Sequence, residues 1–281
     1  MESAETTFLQ PAAIRRDWNQ AELSRTQSET LMASVVLAVV AHPDDAEFLC
    51  AGTLVRLQRE HGFEVHIATM TPGDCGSAEY GPEEIAGIRR AEGAAAARAI
   101  GATYHCLEER DLRVIFNECV LEKVVRLINR VGAEIVFTHS PDDYHLDHEQ
   151  TSKIVRAATF AAPIPNFLHD RHDHPPIDSI PHTYYCDPLE GKDLFGQKIV
   201  PTFRIDITTV IDDKSRMLEC HESQRNWLRK HHGVDSLVDS MKTWAAEQGR
   251  SAGVKYAEGF RQHLGHSYPQ NNRLLELLAA R

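Results

Sequence analysis

The chain has 281 residues, 42% of them hydrophobic, which is enough to bury the core of one sizeable domain. The formal net charge is −11 and the lysines and arginines form no basic block, which excludes a phosphate-neutralising surface for nucleic acid. The six cysteines form no C-x-x-C pair. No apolar run approaches the roughly 20 residues that a transmembrane helix needs, and residues 1–30 do not show the pattern of a secretory signal. We therefore expect a cytoplasmic protein with reduced thiols and no membrane insertion.

The first two thirds of the chain read as alternating strands and helices. Residues 1–33 are polar and of mixed charge, which predicts an N-terminal arm with a short helix around Ala12–Thr30, followed by one domain over residues 34–281. The predicted strands are Val35–Ala41, Phe63–Met70, Ala102–Leu107, Ala133–His139 and His182–Asp187. The predicted helices are Glu47–His61, Glu83–Ile100, Glu118–Val131 and His148–Ala161. This alternation predicts an α/β fold with a Rossmann-like, mostly parallel sheet flanked by helices.

The last third of the chain is less regular. A loop over residues 167–181 carries the histidines of His169–His174, which we interpret as lying at the rim of a pocket. One late strand is predicted at Lys198–Thr208. Beyond Val210 the pattern predicts helices only, at Asp212–His221, Ser223–His231, Leu237–Gln248 and Leu274–Ala280. We therefore expect a helical C-terminal extension of the same domain.

Side chains that can bind a metal or take part in catalysis follow three of the predicted strands. His42, Asp44 and Asp45 come directly after the first strand. A glycine-containing loop, Thr71–Gly76, follows the second strand, and the segment His139–His148 follows the strand that ends at His139. Because ligands bind where the carboxyl ends of parallel strands meet, these loops can form one site although they are far apart in sequence.

A helix cap competes with a metal site as the explanation of the first loop. Aspartates before a helix cap free N–H groups, which explains one or both of them but not His42 at the exit of an apolar strand. His145 and His148 are three residues apart at a helix start, with Asp147 between them, so both imidazoles can face one cavity. Two imidazoles and one carboxylate are the usual ligands of catalytic zinc, and they also describe the ferrous facial triad. The H-x-x-D spacing in a strand-to-helix turn favours zinc, with ferrous iron second.

At these residues the sequence resembles the LmbE-like or PIG-L family of zinc deacetylases, which remove an N-acetyl group from N-acetylglucosamine derivatives. The A-H-P-D-D signature of the family is matched by Ala41–Asp45, and its H-x-D-H signature by His145–His148. Weaker matches are T-x-G-[DE]-x-G at Thr71–Gly76, R-x-x-E at Arg89–Glu92, H-x-S-Q at His221–Gln224 and E-x-F at Glu258–Phe260. The resemblance covers roughly residues 35–260.

The resemblance implies a role for each matched residue. The implied metal ligands are His42, Asp45 and His148. Asp44 would be the general base that activates water, and His145 would stabilise the oxyanion and protonate the leaving amine while Asp147 orients it. Arg89 and Asp74 are the candidate substrate-binding residues.

One position departs from the family pattern. Many sugar deacetylases of the family have arginine after the threonine of the T-x-G loop, where this chain has Pro72, so either Arg89 compensates or the substrate differs. The predicted function is a metal-dependent hydrolase that removes an N-acetyl group from an N-acetylglucosamine-type sugar or conjugate. The alternatives are an amidase of the same fold acting on a non-sugar small molecule or natural product, a metal-binding protein without turnover, and a ferrous oxygenase. The predicted partner is a small N-acetylated substrate, and homo-oligomerisation stays open.

Overall fold

The computed structural model describes residues 33–168, 174–225 and 237–279. The predicted N-terminal arm and its helix lie outside the described residues, apart from Ala33. The same holds for residues 169–173 of the histidine-bearing loop and for all but the start of the predicted helix Ser223–His231.

Seven strands form one sheet in the order β3-β2-β1-β4-β5-β7-β6. The strands are β1 (Val35–Val40), β2 (Glu64–Thr69), β3 (Thr103–Cys106), β4 (Ile135–Thr138), β5 (His182–Cys186), β6 (Phe203–Asp206) and β7 (Ala257–Gln262). The first five pair in parallel, whereas β7 lies antiparallel between β5 and β6. The predicted mostly parallel sheet is confirmed.

Helices cover both faces of this sheet. They are α1 (Asp45–Leu49), α2 (Ala51–His61), α3 (Pro82–Ala99), α4 (Glu118–Val131), α5 (Leu146–Ala161), α6 (Ile211–Glu219), α7 (Leu237–Ala252) and α8 (Arg273–Leu278). On β1, Val36, Ala38 and Val40 join the core formed with α1, α2, α6 and α7, while Leu37 and Val39 join the core formed with α4 and α5. The continuous valine-rich run is therefore a strand buried on both faces, as its sequence predicts.

Two helices begin two residues earlier than predicted. The predicted helix Glu47–His61 begins at Asp45 and is divided at Cys50, whose φ of −139° interrupts the helical backbone. The helix that follows β4 begins at Leu146, so His148 lies in its first turn. Helix boundaries depend on local capping contacts, which the apolar spacing does not encode.

The expectation of helices only after Val210 is wrong, because β7 lies in this region. Phe260 of β7 is fully buried in the core, and Glu258 on the same face is buried with it. The six residues of β7 include a glutamate, an arginine and a glycine, so they lack the apolar alternation that marks a strand. The late strand is also shorter than predicted, at Phe203–Asp206.

The strand order places a topological switch at the predicted site. From β1 the chain continues to β2 and β3 on one side, whereas β4 lies on the other side of β1. The loops after β1 and β4 therefore diverge at the carboxyl edge of the sheet, where open α/β sheets bind ligands.

Two observations concern the predictions about thiols and membrane insertion. All six cysteines are free thiols. No helix in the part of the chain described here is both long and apolar enough to cross a membrane.

Candidate active site

The turn after β1 gives its two aspartates different tasks. The carboxylate of Asp45 accepts a hydrogen bond from the His42 main-chain N–H at 2.7 Å, which closes the turn. Asp44 precedes α1 but its side chain makes no capping hydrogen bond. Its φ is 103°, a left-handed backbone conformation that is rare for a residue with a side chain and usually costs on the order of 1–3 kcal/mol. Capping thus does not explain Asp44.

The loop after β4 brings a second set of imidazoles to this turn. The nearest ligand atoms of His42, Asp45 and His148 all lie within 4.8 Å of one another. His148 places Nε2 3.5 Å from Asp45 Oδ1, and its Nδ1 lies 3.0 Å from Asp143 Oδ1. A carboxylate on Nδ1 orients the ring and leaves Nε2 for a metal, so the donor set fits zinc or ferrous iron.

Asp143 and His139 support this cluster, although the sequence reasoning gave them no role. The His139 ring stacks on His148 with centroids 3.9 Å apart, and its Nε2 accepts the Ala41 main-chain N–H at 2.9 Å. Asp143 is buried, and its carboxylate also accepts the His145 main-chain N–H at 3.1 Å. Both residues lie inside the predicted segment His139–His148, and this position is the one feature of the sequence that indicates a role for them.

Opposite charges in this buried cluster reinforce one another. Burial acts to lower the pKa of His42, but hydrogen bonds to Asp147 and Asp45 outweigh it and raise that pKa to about 10. Burial acts to raise the pKa of Asp45, yet the imidazoles of His148 and His139 hold it well below its usual range. The carboxylate is therefore ionised, and a metal that enters the cluster replaces protons on its imidazoles.

Asp44 has the properties of a general base. Burial raises the pKa of its carboxyl to about 6, while the guanidinium of Arg89 opposes the rise. Arg89 Nη2 lies 3.4 Å from Asp44 Oδ2, and the Asp44 side chain is still 22% exposed. A partly exposed carboxylate with a pKa close to neutrality can both accept and return a proton.

His145 has one ring nitrogen committed to the backbone. It is the N-cap residue of α5, and its Nδ1 accepts the Asp147 main-chain N–H at 3.2 Å. In the neutral ring the proton therefore lies on Nε2, which becomes a hydrogen-bond donor. The Asp147 carboxylate lies elsewhere, 3.3 Å from His42 Nε2 and 2.6 Å from the main-chain nitrogen of Leu112.

The predicted substrate-binding residues differ in their surroundings. Arg89 is buried beside the β1 turn, where Nη2 donates to the Pro43 carbonyl at 2.6 Å. The Asp74 carboxylate instead accepts from Arg110 Nε at 2.9 Å and from the Asp111 main-chain N–H at 2.8 Å. These contacts tie Asp74 to the neighbouring loop, and its substrate-binding role stays a prediction.

Comparison with known proteins identifies a family to which part of the chain is similar. Residues 37–159, which contain every predicted site residue, match the family model PIG-L, described as GlcNAc-PI de-N-acetylase. The chain contains a PIG-L family domain. Diacetylchitobiose deacetylase of Thermococcus kodakarensis is 27% identical to the chain over 241 residues, covering 80% of the chain and 82% of that protein.

Two solved structures show how widely this fold is used. The N,N'-diacetylchitobiose deacetylase of Pyrococcus horikoshii superposes with a TM-score of 0.70 at 24% identity, covering 94% of the chain and 99% of that structure. The 4-carboxy-2-hydroxymuconate hydratase of Pseudomonas putida superposes with a TM-score of 0.69 at 21% identity, covering 85% and 100%. The likeness establishes the fold, and the reaction has to be argued from the site.

Arg89 accounts for the two glycines of the T-x-G-D-x-G loop in the PIG-L domain. A Cβ on Gly73, whose φ is +79°, would lie 2.3 Å from Arg89 Nη1, and one on Gly76 would lie 2.7 Å from the same atom. Both positions therefore have to lack a side chain for the guanidinium to reach the β1 turn. The glycines of this weaker sequence element thus leave room for Arg89 beside the β1 turn.

The late H-x-S-Q element, which lies outside the matched segment, contacts α1, α3 and the T-x-G-D-x-G loop. Ser223 donates from its N–H and Oγ to Glu92, at 2.8 and 2.6 Å, and Gln224 Nε2 donates to the Gly76 carbonyl at 3.1 Å. His221 is fully buried with Nε2 3.5 Å from Glu47 Oε1. His221 is therefore a buried partner of Glu47.

Asp111 is a further residue that the sequence reasoning missed. It is buried and accepts from Thr71 Oγ1 at 2.5 Å and from the Cys75 main-chain N–H at 2.9 Å, while Oδ1 lies 4.0 Å from His42 Nε2. Asp111 follows the short strand β3 with no recognisable motif around it, so only the fold brings it to the site.

A cavity of about 1190 Å³ opens onto these residues. Its polar lining includes Asp44, Asp45, His42, His145, His148 and Arg89. Further lining comes from α1, α6, α7, the segment after β5 and the loops that follow β2, β3 and β4. The site is thus open to a ligand much larger than an acetamide.

Proposed function

We propose that the protein is a metal-dependent deacetylase that hydrolyses the acetamide of an N-acetylglucosamine-type sugar or sugar conjugate. The observation that carries the proposal is the ligand set His42, Asp45 and His148 with the carboxylate of Asp44 in the same turn. The PIG-L domain and the similarity to a diacetylchitobiose deacetylase support this choice of substrate class.

The metal is proposed to be zinc, with ferrous iron as the second candidate. His42, Asp45 and His148 would hold it, and the bound metal would act as a Lewis acid that polarises the acetamide carbonyl and lowers the pKa of water. Asp143 would keep His148 oriented through Nδ1, since it lies 3.0 Å away.

Asp44 is proposed as the general base. Its carboxylate would take a proton from water as the oxygen attacks the acetamide carbon, and the raised pKa of about 6 gives it the affinity to hold that proton. Arg89 would position the carboxylate through its contacts with Asp44 and the Pro43 carbonyl.

His145 is proposed to donate a hydrogen bond to the oxyanion. Because Nδ1 accepts the Asp147 N–H, Nε2–H is the free donor, and a single donor of this kind is commonly worth about 10²–10³ in rate. Asp147 would contribute to this arrangement by its main chain, and by its carboxylate to the orientation of His42. The family resemblance predicts that His145 protonates the leaving amine, but a neutral ring that gave up its only proton would become an imidazolate. The proton that Asp44 takes from water is therefore proposed to be returned to the amine.

A non-sugar amide is the second candidate substrate. Pro72 occupies the position where many sugar deacetylases of the family have arginine, and the cavity carries apolar side chains. An amidase acting on a small natural product would use the same base and ligands. Homo-oligomerisation and a cytoplasmic location stay predictions.

The experiment is an amine-release assay on the chelated and metal-reloaded protein. N-acetylglucosamine, diacetylchitobiose, N-acetylglucosaminides and non-sugar acetamides would be compared, with zinc or ferrous iron added back. Release of free amine and acetate from the sugars, lost on chelation, is the expected result. Release from the non-sugar amides alone would favour the second candidate. Absence of amine release from every substrate would contradict a deacetylase, and a hydratase on this fold would release none.

A further inference from the structure

The cavity has a second part that the proposed chemistry does not use. Apart from the polar residues and from Leu112 and Tyr144, its lining contains six apolar side chains from α1, α6, α7 and the segment after β5: Phe48, Leu49, Leu189, Leu218, Leu237 and Trp244. Its volume of about 1190 Å³ exceeds the roughly 300–1,000 Å³ of pockets that enclose drug-sized ligands. An acetamide on a single sugar ring would leave much of this space and most of these side chains unused.

We call these six apolar side chains the apolar wall, and four of them belong to or pack against the main core of the domain. Phe48, Leu49 and Leu237 are partly buried and pack against the core cluster that contains Leu218. Leu218 itself is fully buried, so the wall is the margin of a packed core. A concave apolar surface of this kind favours an apolar ligand, because the ligand removes the surface from water without reorganising it.

Trp244 of α7 is fitted closely to the segment after β5. A Cβ added to Gly191 would lie 2.7 Å from Trp244 Cη2, so the indole edge occupies the space that a side chain at residue 191 would take. Gly191 and the preceding Glu190 both have a φ of 60°. A left-handed backbone at Glu190 is costly for a non-glycine residue, which indicates that the packing around the indole holds this turn.

The helix that carries Trp244 is anchored to the sheet one turn later. Gln248 is buried, its Nε2 donates to Asp187 Oδ2 at 2.9 Å, and its Oε1 accepts from Arg204 Nε at 2.8 Å. Residues four apart lie on the same side of a helix, so this anchor fixes the face of α7 that presents Trp244 to the cavity. Asp187 directly follows β5, at the sheet edge where the catalytic loops emerge.

We infer that Trp244 is a specificity-determining residue that binds an aryl group on the substrate. The inference rests on the proposed function and sharpens it: the substrate would be an N-acetylglucosaminide whose aglycone carries an aromatic ring. The acetamide has to reach Asp44 and His145, so the ring lies beyond the sugar, in the larger part of the cavity. Stacking on the indole and burial against Phe48 and Leu237 stabilise it there.

The test measures binding of deacetylated products, so it needs no turnover. Glucosamine and phenyl β-glucosaminide are titrated by calorimetry into the metal-loaded full chain. The wild-type protein is expected to bind the phenyl compound at least about tenfold more tightly, since one aromatic pair and its buried area suffice for that ratio. Trp244→Ala should remove the preference and Trp244→Phe should keep part of it. Phe160→Ala, on an exposed face near the far end of α5, is the matched control and should keep all of it.

The ratio of two affinities in one sample does not depend on how much of a variant is folded. Equal affinities in the wild-type protein, no binding of the phenyl compound, or an undiminished preference in Trp244→Ala would each overturn the inference. Deacetylation of N-acetylglucosamine and of phenyl N-acetyl-β-glucosaminide, measured on the same samples, tests the proposed function separately. A preference that persists without amine release contradicts the deacetylase alone, and amine release without the preference contradicts the aryl site alone.

Discussion

Replacement of Glu258 by glutamine should destabilise the domain strongly, because this carboxylate closes the start of α2. One oxygen accepts from the Gly52 N–H at 2.9 Å and from Lys214 Nζ at 2.5 Å. The other accepts from the Thr53 N–H at 2.7 Å and from Thr53 Oγ1 at 2.6 Å. Glu258 and Lys214 are almost fully buried, at 2% and 1% side-chain exposure. A glutamine cannot satisfy this arrangement, since its NH₂ group would face two donors.

The size of the effect follows from the charge that the substitution leaves behind. Lys214 would stay buried without a counter-charge, and breaking a buried ion pair in this way typically costs about 3–5 kcal/mol. For a domain of this size that corresponds to a fall in melting temperature on the order of 10 °C. Because α2 continues directly from α1, which begins at Asp45, the loosened contact also lies close to the β1 turn.

Urea unfolding followed by circular dichroism measures the free energy of unfolding. Glu60→Gln is the matched control, since it removes an i,i+4 ion pair with Arg56 at the surface of α2 and should cost about 0.5 kcal/mol or less. Adding Lys214→Met to Glu258→Gln should recover part of the loss, because the unpaired charge is gone. A loss below about 1 kcal/mol for Glu258→Gln, or a double variant no more stable than the single one, would refute the reasoning.

Three further substitutions test other parts of the structure. Asp44→Ala should retain the metal by elemental analysis and lower kcat by about 10²–10⁴ as the base is lost; wild-type turnover would contradict its role. Asp143→Ala should weaken metal affinity about 10–100-fold in a chelator competition, because the ring of His148 loses its orienting carboxylate, and an unchanged affinity would argue against that contact. Burial raises the pKa of Asp187 to about 6, so between pH 5 and 7 the folded state binds more protons than the unfolded chain. Stability should therefore fall with rising pH by on the order of 1 kcal/mol, and Asp187→Asn should remove this slope in urea unfolding at the two pH values.

The parallel part of the fold and the centre of the site could be predicted because their signals are local. The run Val35–Val40 is short, valine-rich and apolar at every position, which is typical of a strand buried on both faces. His42 follows β1 and His148 lies in the first turn of the helix after β4, so the order of the strands brings them together. Asp111 gives no comparable signal, because its contacts with Thr71 and Cys75 span 40 and 36 residues of sequence.

The strand β7 shows a second limit of the sequence pattern. Its alternation places Glu258 and Phe260 on one face, and a glutamate on a buried face contradicts the usual reading of a strand. The contradiction disappears once Lys214 and the start of α2 are in place to receive the carboxylate. A buried polar residue is thus predictable only together with its partners, and those of Glu258 come from two other elements, α2 and α6.

The two adjacent aspartates of the β1 turn illustrate how the backbone separates chemical roles that the sequence leaves open. Asp45 points back to the His42 N–H and toward His148, which makes it both the cap of the turn and a metal ligand candidate. The left-handed conformation of Asp44 directs its carboxylate away from the helix start and toward Arg89. Such a conformation persists only when its surroundings hold it, and the bond from Arg89 to the Pro43 carbonyl does so. The contacts of the Arg89 guanidinium with the Pro43 carbonyl and the Asp44 carboxylate therefore hold the proposed base away from the capping position.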